Sequence, residues 1–138
     1  MNWLFKEEPS SYSFDQFTKD GGTSWAGVRN PLAQKHLRSV RKGDRVFYYH
    51  TGGEKAVVGI AKAISDAYPD PNDTSGKLVV VDIAPVRALK RPVALAEIKA
   101  SKEFTTFPLT RLPRLSVMPV SDAEWSGIER MSKAEKER

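Results

Sequence analysis

Three runs of β-branched and aromatic residues in the middle of the chain constrain its fold more than any other feature. The runs are DRVFYYH at residues 44–50, AVVGIAKAI at 56–64 and KLVVVDIAPVRAL at 77–89. Glycine, proline and aspartate bound each run, and this composition favours strands. A Gly-Gly pair predicts a hairpin between the first two runs, and YPDPNDTSG predicts a longer turn before the third. The sequence therefore predicts a three-stranded meander, with a bulge or an edge at Pro85, which cannot donate to a ladder.

Local signals place short helices around these strands. Ser13 and Gln16 have the spacing of a capping box and predict a helix over residues 14–20. Asn30 followed by Pro31 predicts a second helix, because asparagine is a favoured N-cap and proline fits the first helical position. A brief helix is also expected in ALAEIKAS, after the third predicted strand.

Segments near the two ends complete the predicted domain. NWLFK at residues 2–6 predicts a first strand and RLSVMPV at 114–120 a last one, and a second capping box predicts a final helix from Asp122. Short strands with small helices between them favour a mixed, strongly bent sheet or open barrel with helices packed on its rim. The 138 residues suit one domain. We place it at residues 1–131, followed by a charged, frayed tail at 132–138.

The composition excludes several kinds of site. Cysteine is absent and histidine occurs twice, so we expect no disulfide framework and no metal site. The longest apolar run, at residues 78–81, is far shorter than the roughly 20 residues of a membrane helix. The first residues also lack the features of a signal peptide, so we expect a cytoplasmic protein with no membrane partner. Cofactor-binding, phosphoryl-transfer and common hydrolase motifs are missing, so no cofactor is expected.

Positive charge is concentrated in one segment of a chain whose formal net charge is +5. Between residues 29 and 45 one acid, Asp44, stands among six basic residues: Arg29, Lys35, Arg38, Arg41, Lys42 and Arg45. Two interpretations stay open, a solvated helix face and a surface that binds phosphates. The second interpretation assigns the phosphate contacts to these residues: Lys35, Arg38, Arg41 and Lys42.

Trp25 is a candidate for the wall of a ligand pocket. Gly27 opens a turn beside it, so the ring could face a planar ligand, and Arg29 and Asn30 are nearby hydrogen-bond donors. Stacking of a base on an aromatic ring contributes about 1–3 kcal/mol for any base, so selectivity would come from polar groups at the base edge. The alternative is that Trp25 belongs to the core.

A second candidate group stands where two predicted strands end. Lys6, Glu7 and Glu8 leave the first strand together, and His50 leaves another. These side chains could converge at one end of the sheet and form a site for acid–base chemistry. The alternative is a salt-bridged strand terminus.

Six motifs, in order along nearly the whole chain, resemble the EVE domain family. They are WLFKEEP at 3–9, WAGVRN at 25–30, GDRVFYYH at 43–50, VVGIAKAISDAYPD at 57–70, RPVALAEIKA at 91–100 and RLSVMPV at 114–120. The resemblance implies an α+β, PUA-like fold: a bent mixed β-barrel with short peripheral helices, related to PUA, YTH and ASCH domains. It also implies a ligand, because EVE domains are regarded as readers of modified bases, either modified cytosines in DNA or modified bases in RNA.

The resemblance further implies which residues line the base pocket. Carried over by position, they are Trp3, Lys6, Glu8, Pro9, Trp25, Val28, Arg29, Asn30, His50, Thr51 and Ser116. Four positions depart from the family pattern: Glu7, Ala26, Pro31 and Met118. Glu7 stands where a small hydroxyl residue is common, and Ala26 where aspartate is frequent. These departures imply a different preferred modification or weaker binding.

Three functions are compatible with these observations. The leading hypothesis is a non-catalytic module that holds one flipped-out, modified base while the basic segment holds flanking phosphates. The second is a small amidohydrolase acting on acylated nucleosides, as some ASCH relatives look to be, using Lys6, Glu8 and Thr51. The third is a protein-interaction module that uses an apolar edge of the strand at 77–89. The sequence leaves open the choice between DNA and RNA and the oligomeric state.

Overall fold

The predicted strands assemble into one curled, seven-stranded half-barrel sheet in a computed structural model that describes residues 1–133. The strands are β1 (Asn2–Glu7), β2 (Thr23–Trp25), β3 (Arg45–His50), β4 (Ala56–Ala63), β5 (Tyr68–Pro69), β6 (Val79–Ala94) and β7 (Val117–Val120). Their order is β2-β6-β4-β3-β1-β7, and β5 pairs with β6. β1 and β3 are parallel, whereas the other strand pairs are antiparallel.

Short helices surround this sheet and confirm the predicted α+β class. They are α1 (Pro9–Tyr12), α2 (Phe14–Asp20), α3 (Pro31–Arg38), α4 (Leu95–Ala100), α5 (Pro108–Arg111), α6 (Asp122–Lys133) and a 3₁₀ helix at Lys102–Phe104. Within residues 1–133, no helix combines the length and the apolar character needed to cross a bilayer.

Side-chain caps explain where the predicted helices begin. Ser13 Oγ accepts a hydrogen bond from Gln16 N at 3.1 Å, so α2 has its predicted bounds. Asn30 Oδ1 accepts one from Ala33 N at 3.0 Å, and Pro31 is the first residue of α3, also as predicted. The capping box predicted for α6 is present with both of its hydrogen bonds. These helix starts depend on contacts within four residues, which explains why the sequence predicts them.

The predicted meander is confirmed by the antiparallel neighbours β3, β4 and β6. Ile60 pairs with Arg87 and Ala61 with Pro85, so Val86 is an extra residue in β6, and the predicted bulge is present. Residues 79–83 of β6 are hydrogen-bonded to β5, β2 and β4. The apolar edge on which the interaction-module hypothesis depended is therefore already paired.

Several elements differ from the expectation. The last strand covers Val117–Val120 rather than 114–120. α1, α5, the 3₁₀ helix and the short strands β2 and β5 were not predicted, because each has at most four residues and little periodicity. α6 continues to Lys133, and Ser132 is buried with its Oγ donating to Glu129 O at 2.7 Å. The first two residues of the predicted tail thus belong to the helix, whereas 134–138 lie outside the described residues.

Aromatic side chains fill the concave side of the sheet. The rings of Phe14 and Phe17, both from α2, lie 5.3 and 5.4 Å from the ring of Tyr48 on β3. Gly59 in β4 lies directly beneath Phe14, where an added Cβ would fall 2.4 Å from the ring. The absence of a side chain at Gly59 therefore allows α2 to pack on the sheet.

We predict that Gly59→Ala destabilises the domain by about 1–3 kcal/mol, because the new methyl group forces Phe14 or the strand to move. Gly53→Ala is the matched control, since its Cβ would meet no atom within 4 Å. Urea denaturation of both variants measures the effect. Equal midpoints for the two variants would show that the contact between Phe14 and β4 does not constrain the fold.

Candidate nucleic-acid interface

The parallel pairing of β1 with β3 brings the carboxyl ends of both strands to one edge of the sheet. Glu7 is in register with His50, and Thr51 N donates to Glu7 O at 2.9 Å. Thr51 Oγ1 donates to Glu8 Oε2 at 3.2 Å. Glu7, Glu8, His50 and Thr51 thus meet at the end of the sheet where sequence reasoning expected a convergence.

The alternation of side chains along β1 divides this edge into two sites. Successive residues of a strand face opposite sides of a sheet. Phe5 contacts Trp25 on the concave side, and Glu7 shares its face, whereas Lys6 lies over the Tyr49 ring on the other side. Lys6 and Trp25, which the family resemblance placed in one pocket, therefore lie on opposite faces of the sheet.

On the concave side lies the Trp25 pocket, with a volume of about 200 Å³. Its lining residues are Glu7, Tyr12, Thr23, Ser24, Trp25 and Ala26. Trp25 is only 5% exposed, and its ring lies 5.4 Å from the rings of both Phe5 and Tyr48. Trp25 is accordingly both a core residue and a wall of the pocket.

Glu7 gives this pocket a hydrogen-bond acceptor. Its Oε1 accepts a hydrogen bond from Glu8 N at 2.9 Å, and among residues 1–133 its Oε2 has no partner. Burial raises the pKa of Tyr48, and the nearby negative charge of Glu7 raises it further. Two of the four departures from the family pattern, Glu7 and Ala26, line this pocket.

On the other face of the sheet lies the lysine cleft, which we define by Lys6, Tyr49, Thr51, Lys55 and Lys99. Its volume is about 220 Å³. Lys6 Nζ donates to Pro113 O at 2.9 Å, and burial lowers the pKa of Lys6. In the described part of the chain, Lys6 makes no side-chain hydrogen bond to Glu8 or Thr51. Of the three residues of the hydrolase hypothesis, Thr51 is thus hydrogen-bonded to Glu8, whereas Lys6 shares the cleft with Thr51 without bonding to either residue.

Beside these two sites, Asn30 borders a groove of about 320 Å³. Its other lining residues are Leu32, Leu112, Pro113, Arg114 and Leu115. The side-chain oxygen of Asn30 caps α3, so this oxygen serves the fold rather than a ligand.

The remaining pocket residues implied by the family resemblance have structural contacts. Trp3 is 2% exposed, and its Nε1 donates to Asp44 Oδ2 at 2.9 Å, away from the Trp25 pocket. His50 Nε2 accepts from Phe14 N at 3.0 Å, and Nδ1 lies 2.8 Å from Glu54 Oε1, so both ring nitrogens are engaged. Three further members of the implied pocket also have such contacts. Pro9 is the first residue of α1. The carbonyl of Val28 accepts a hydrogen bond from Gln34, and the carbonyl of Ser116 accepts one from Lys6 N.

The basic segment presents its charges to solvent along and beyond α3. All six basic residues of the segment are exposed: Arg29, Lys35, Arg38, Arg41, Lys42 and Arg45. Arg38 donates to Lys77 O at 2.8 Å, and Arg41 donates to the carbonyls of Arg38 and Val40. Arg29 and Lys35 have no side-chain partner among residues 1–133. The segment thus combines free cations with guanidinium groups that are partly held in place.

Sequence reasoning missed several residues that line the two sites. In the Trp25 pocket these are Tyr12, Thr23 and Ser24, and in the lysine cleft they are Tyr49, Lys55 and Lys99. Thr23 and Ser24 directly precede Trp25 in the sequence, so their closeness to a candidate pocket residue could have identified them. Lys99 is distant from Lys6 in sequence, and only the packing of α4 near the β3–β4 loop brings them together.

The fold and these motifs define a member of the EVE domain family, whose model matches residues 1–131. The chain belongs to this family. It is 29% identical to human thymocyte nuclear protein 1, over 99% of this chain and 75% of the human protein.

Solved structures of similar proteins have the same architecture. The Rpa0253 protein of Rhodopseudomonas palustris is 47% identical, with a TM-score of 0.90 over 95% of this chain and 92% of that one. The human THYN1 protein, solved in complex with DNA containing 5-methylcytosine, is 26% identical, with a TM-score of 0.89 over 98% and 99% of the two chains. The α+β fold implied by the family resemblance, a bent mixed sheet with short peripheral helices, is therefore confirmed, and its sheet is a curled half-barrel.

We predict that Asp44→Asn destabilises the protein by about 1–3 kcal/mol at pH 7, because Trp3 Nε1 and Arg41 N lose a charged acceptor. Burial acts to raise the pKa of Asp44, but hydrogen bonds from Trp3 and Arg41 and the N-terminal ammonium group lower it overall. A carboxyl with a lowered folded-state pKa stabilises the fold above its ordinary pKa of 3.8 and loses this effect as the pH falls through the folded-state pKa.

Denaturation at a series of pH values from neutral to strongly acidic checks this prediction. The stability difference between the wild type and Asp44→Asn should shrink as the pH falls below about 4. Asp15→Asn, at an exposed position of α2, is the control and should follow the wild type. A difference that stays constant at all pH values would contradict the role given to the Asp44 carboxylate.

Proposed function

We propose that this EVE domain is a non-catalytic module that binds nucleic acid and accommodates one modified, cytosine-type base in the Trp25 pocket. The observation that carries the proposal is the similarity, over 98% of the chain, to the human THYN1 protein solved with DNA containing 5-methylcytosine. The pocket beside Trp25 supplies a place for such a base in this chain.

The size of the pocket supports a ligand consisting of one ring. Sites for drug-sized ligands have volumes of roughly 300–1,000 Å³. The Trp25 pocket, at about 200 Å³, is smaller. It suits one pyrimidine ring rather than a whole nucleotide, which is consistent with a base that leaves the stack while its sugar and phosphate stay outside.

The polar lining supports a cytosine-type base. Carboxylates accept hydrogen bonds from the exocyclic amine of cytosine, and the free Oε2 of Glu7 is such an acceptor. Thymine and uracil present a carbonyl at the same position and would meet the carboxylate with two acceptors facing each other. We therefore assign base selection to Glu7, one of the positions at which this chain departs from its family.

Energetic considerations require contacts outside the pocket. Extracting a base from a duplex costs a few kcal/mol, whereas stacking on one aromatic ring contributes about 1–3 kcal/mol. The deficit is offset if the basic segment holds flanking phosphates. Lys35, Arg38, Arg41 and Lys42 are exposed. Lys35 and Arg38 lie on α3, which starts directly after the Trp25–Asn30 loop, and Arg41 and Lys42 follow that helix.

We predict that Ala26→Phe lowers the affinity for an oligonucleotide containing 5-methylcytosine by about 5- to 150-fold, because the phenyl ring fills the pocket and removes the stacking contact. This substitution is preferable to Trp25→Ala, which would also remove a buried ring from the core. Fluorescence anisotropy with labelled duplexes, identical except for the modified base, gives the affinities.

Ala123→Phe, at an exposed position on α6, is the matched control and should bind like the wild type. The salt dependence of binding separates the pocket from the basic segment. Ala26→Phe should leave the slope of affinity against salt unchanged, because the number of phosphate contacts stays the same. Equal losses for modified and unmodified duplexes would contradict base recognition in this pocket.

A further inference from the structure

The lysine cleft gathers three cationic side chains from three parts of the fold. Lys6 comes from β1, Lys55 from the loop between β3 and β4, and Lys99 from α4. This cleft is separate from the proposed base pocket, because it lies on the opposite face of β1 from Trp25.

The polar side chains of the cleft are mainly hydrogen-bond donors, whereas Leu95 and Leu109 form an apolar part of its lining. A lysine ammonium group has three N–H donors, and Lys6 uses one of them on Pro113 O. Burial raises the pKa of Tyr49, so its hydroxyl stays protonated and can donate. Within residues 1–133, neither Lys55 nor Lys99 has a carboxylate within ion-pair distance. The cleft therefore holds positive charge that no side chain lining it neutralises.

Two carboxylates next to the cleft, Glu54 and Glu8, have other partners. Glu54 lines an adjoining pocket together with Lys55 and Lys99, but its Oε1 lies 2.8 Å from His50 Nδ1. Glu8 lies against Gly52, where an added Cβ would fall 2.6 Å from Glu8 Oε2. Its two oxygens accept hydrogen bonds from Thr51 Oγ1 and from the backbone and hydroxyl groups of Ser10. Glu8 thus caps α1 and holds the loop that carries Lys55, rather than pairing with a lysine of the cleft.

The backbone around the cleft is fixed in an unusual conformation. Lys55 has a φ of 47°, a left-handed value that no other non-glycine residue among 1–133 adopts. Such conformations cost of order 1 kcal/mol or more and cluster at ligand sites. Leu95 N donates to Lys55 O at 2.8 Å, which ties this loop to the start of α4. Because Leu95 and Lys99 are four residues apart, they share the helix face that lines the cleft.

We propose that the lysine cleft binds a phosphate group. The lining offers three ammonium groups and a phenol and has no opposing carboxylate. It therefore matches a compact anion rich in acceptor oxygens, which would also relieve the repulsion between the lysines. The phosphate can come from the backbone of a bound nucleic acid or from a free, phosphate-bearing small molecule. The two sources share this chemistry, and the experiment below distinguishes them.

The test is a titration of the ¹⁵N-labelled protein with inorganic phosphate at constant ionic strength, followed through the amide signals of Thr51, Gly52 and Gly53. We expect saturable shifts of these signals, with sodium chloride producing none. The double variant Lys55→Asn/Lys99→Gln should weaken phosphate binding at least tenfold, and Lys99→Gln alone, on an exposed helix face, should weaken it measurably. Asparagine tolerates the left-handed backbone of position 55.

The matched control is Lys19→Gln/Lys102→Gln, which removes two exposed lysines outside the cleft. Shifts that rise linearly without saturation, that chloride reproduces, or that are equal in the two double variants would overturn the proposal. The amide spectrum of each variant also reports whether it is folded.

A second arm with an unmodified DNA duplex identifies the source of the phosphate. If the cleft holds a backbone phosphate, Lys55→Asn/Lys99→Gln lowers the salt slope of DNA binding by about 1 relative to the control. If the cleft serves a free phosphate compound, the salt slope is unchanged while inorganic phosphate still binds the wild type. Because neither readout uses a modified base, failure of the Trp25 pocket hypothesis leaves this test intact.

Discussion

The location of both sites depends on the parallel pairing of β1 with β3. In a sheet that is otherwise antiparallel, this pair brings two carboxyl ends to one edge, with Glu7 opposite His50. The loops that leave these ends are joined by the hydrogen bonds from Thr51 to Glu7 and Glu8. The sequence makes His50 a candidate for acid–base chemistry. In the structure, its Nε2 instead accepts a hydrogen bond from Phe14 N and so holds the start of α2. Hydrogen bonds thus join both strand ends, the β3–β4 loop and the start of α2 at this edge.

The alternation of side chains along β1 then separates two kinds of chemistry. Glu7 faces the aromatic interior beside Trp25, and Lys6 faces the cleft that contains Lys55 and Lys99. A carboxylate beside an aromatic ring suits the edge of a cytosine-type base, whereas clustered ammonium groups suit a phosphate. The two departures in the pocket, Glu7 and Ala26, lie where they would alter base selection without disturbing the half-barrel.

The sequence predicts those parts of the structure that depend on neighbouring residues. Ser13 and Asn30 determine the starts of α2 and α3 through hydrogen bonds spanning three residues, so their bounds follow from local chemistry. β2 depends instead on pairing with β6, far away in the chain, and its three residues carry no periodic signal. For the same reason the motifs predict the correct end of the sheet for Lys6 and Trp25 but do not predict that these residues face opposite sides of it. The burial of Trp3 against Asp44 likewise depends on a contact across the fold.

The three tryptophans allow a direct test of where a base enters. Trp3 Nε1 is bonded to Asp44, and Trp125 stacks on Phe47 at 3.6 Å on the opposite face of β3 from Trp25, so only the Trp25 ring adjoins the pocket. We would record the indole N–H signals of the ¹⁵N-labelled protein during titration with matched duplexes containing 5-methylcytosine or cytosine. We expect the modified duplex to shift the Trp25 signal more than the unmodified one and to leave the Trp3 and Trp125 signals unchanged. Binding of the modified duplex with no change at Trp25 would contradict entry of the base beside this ring.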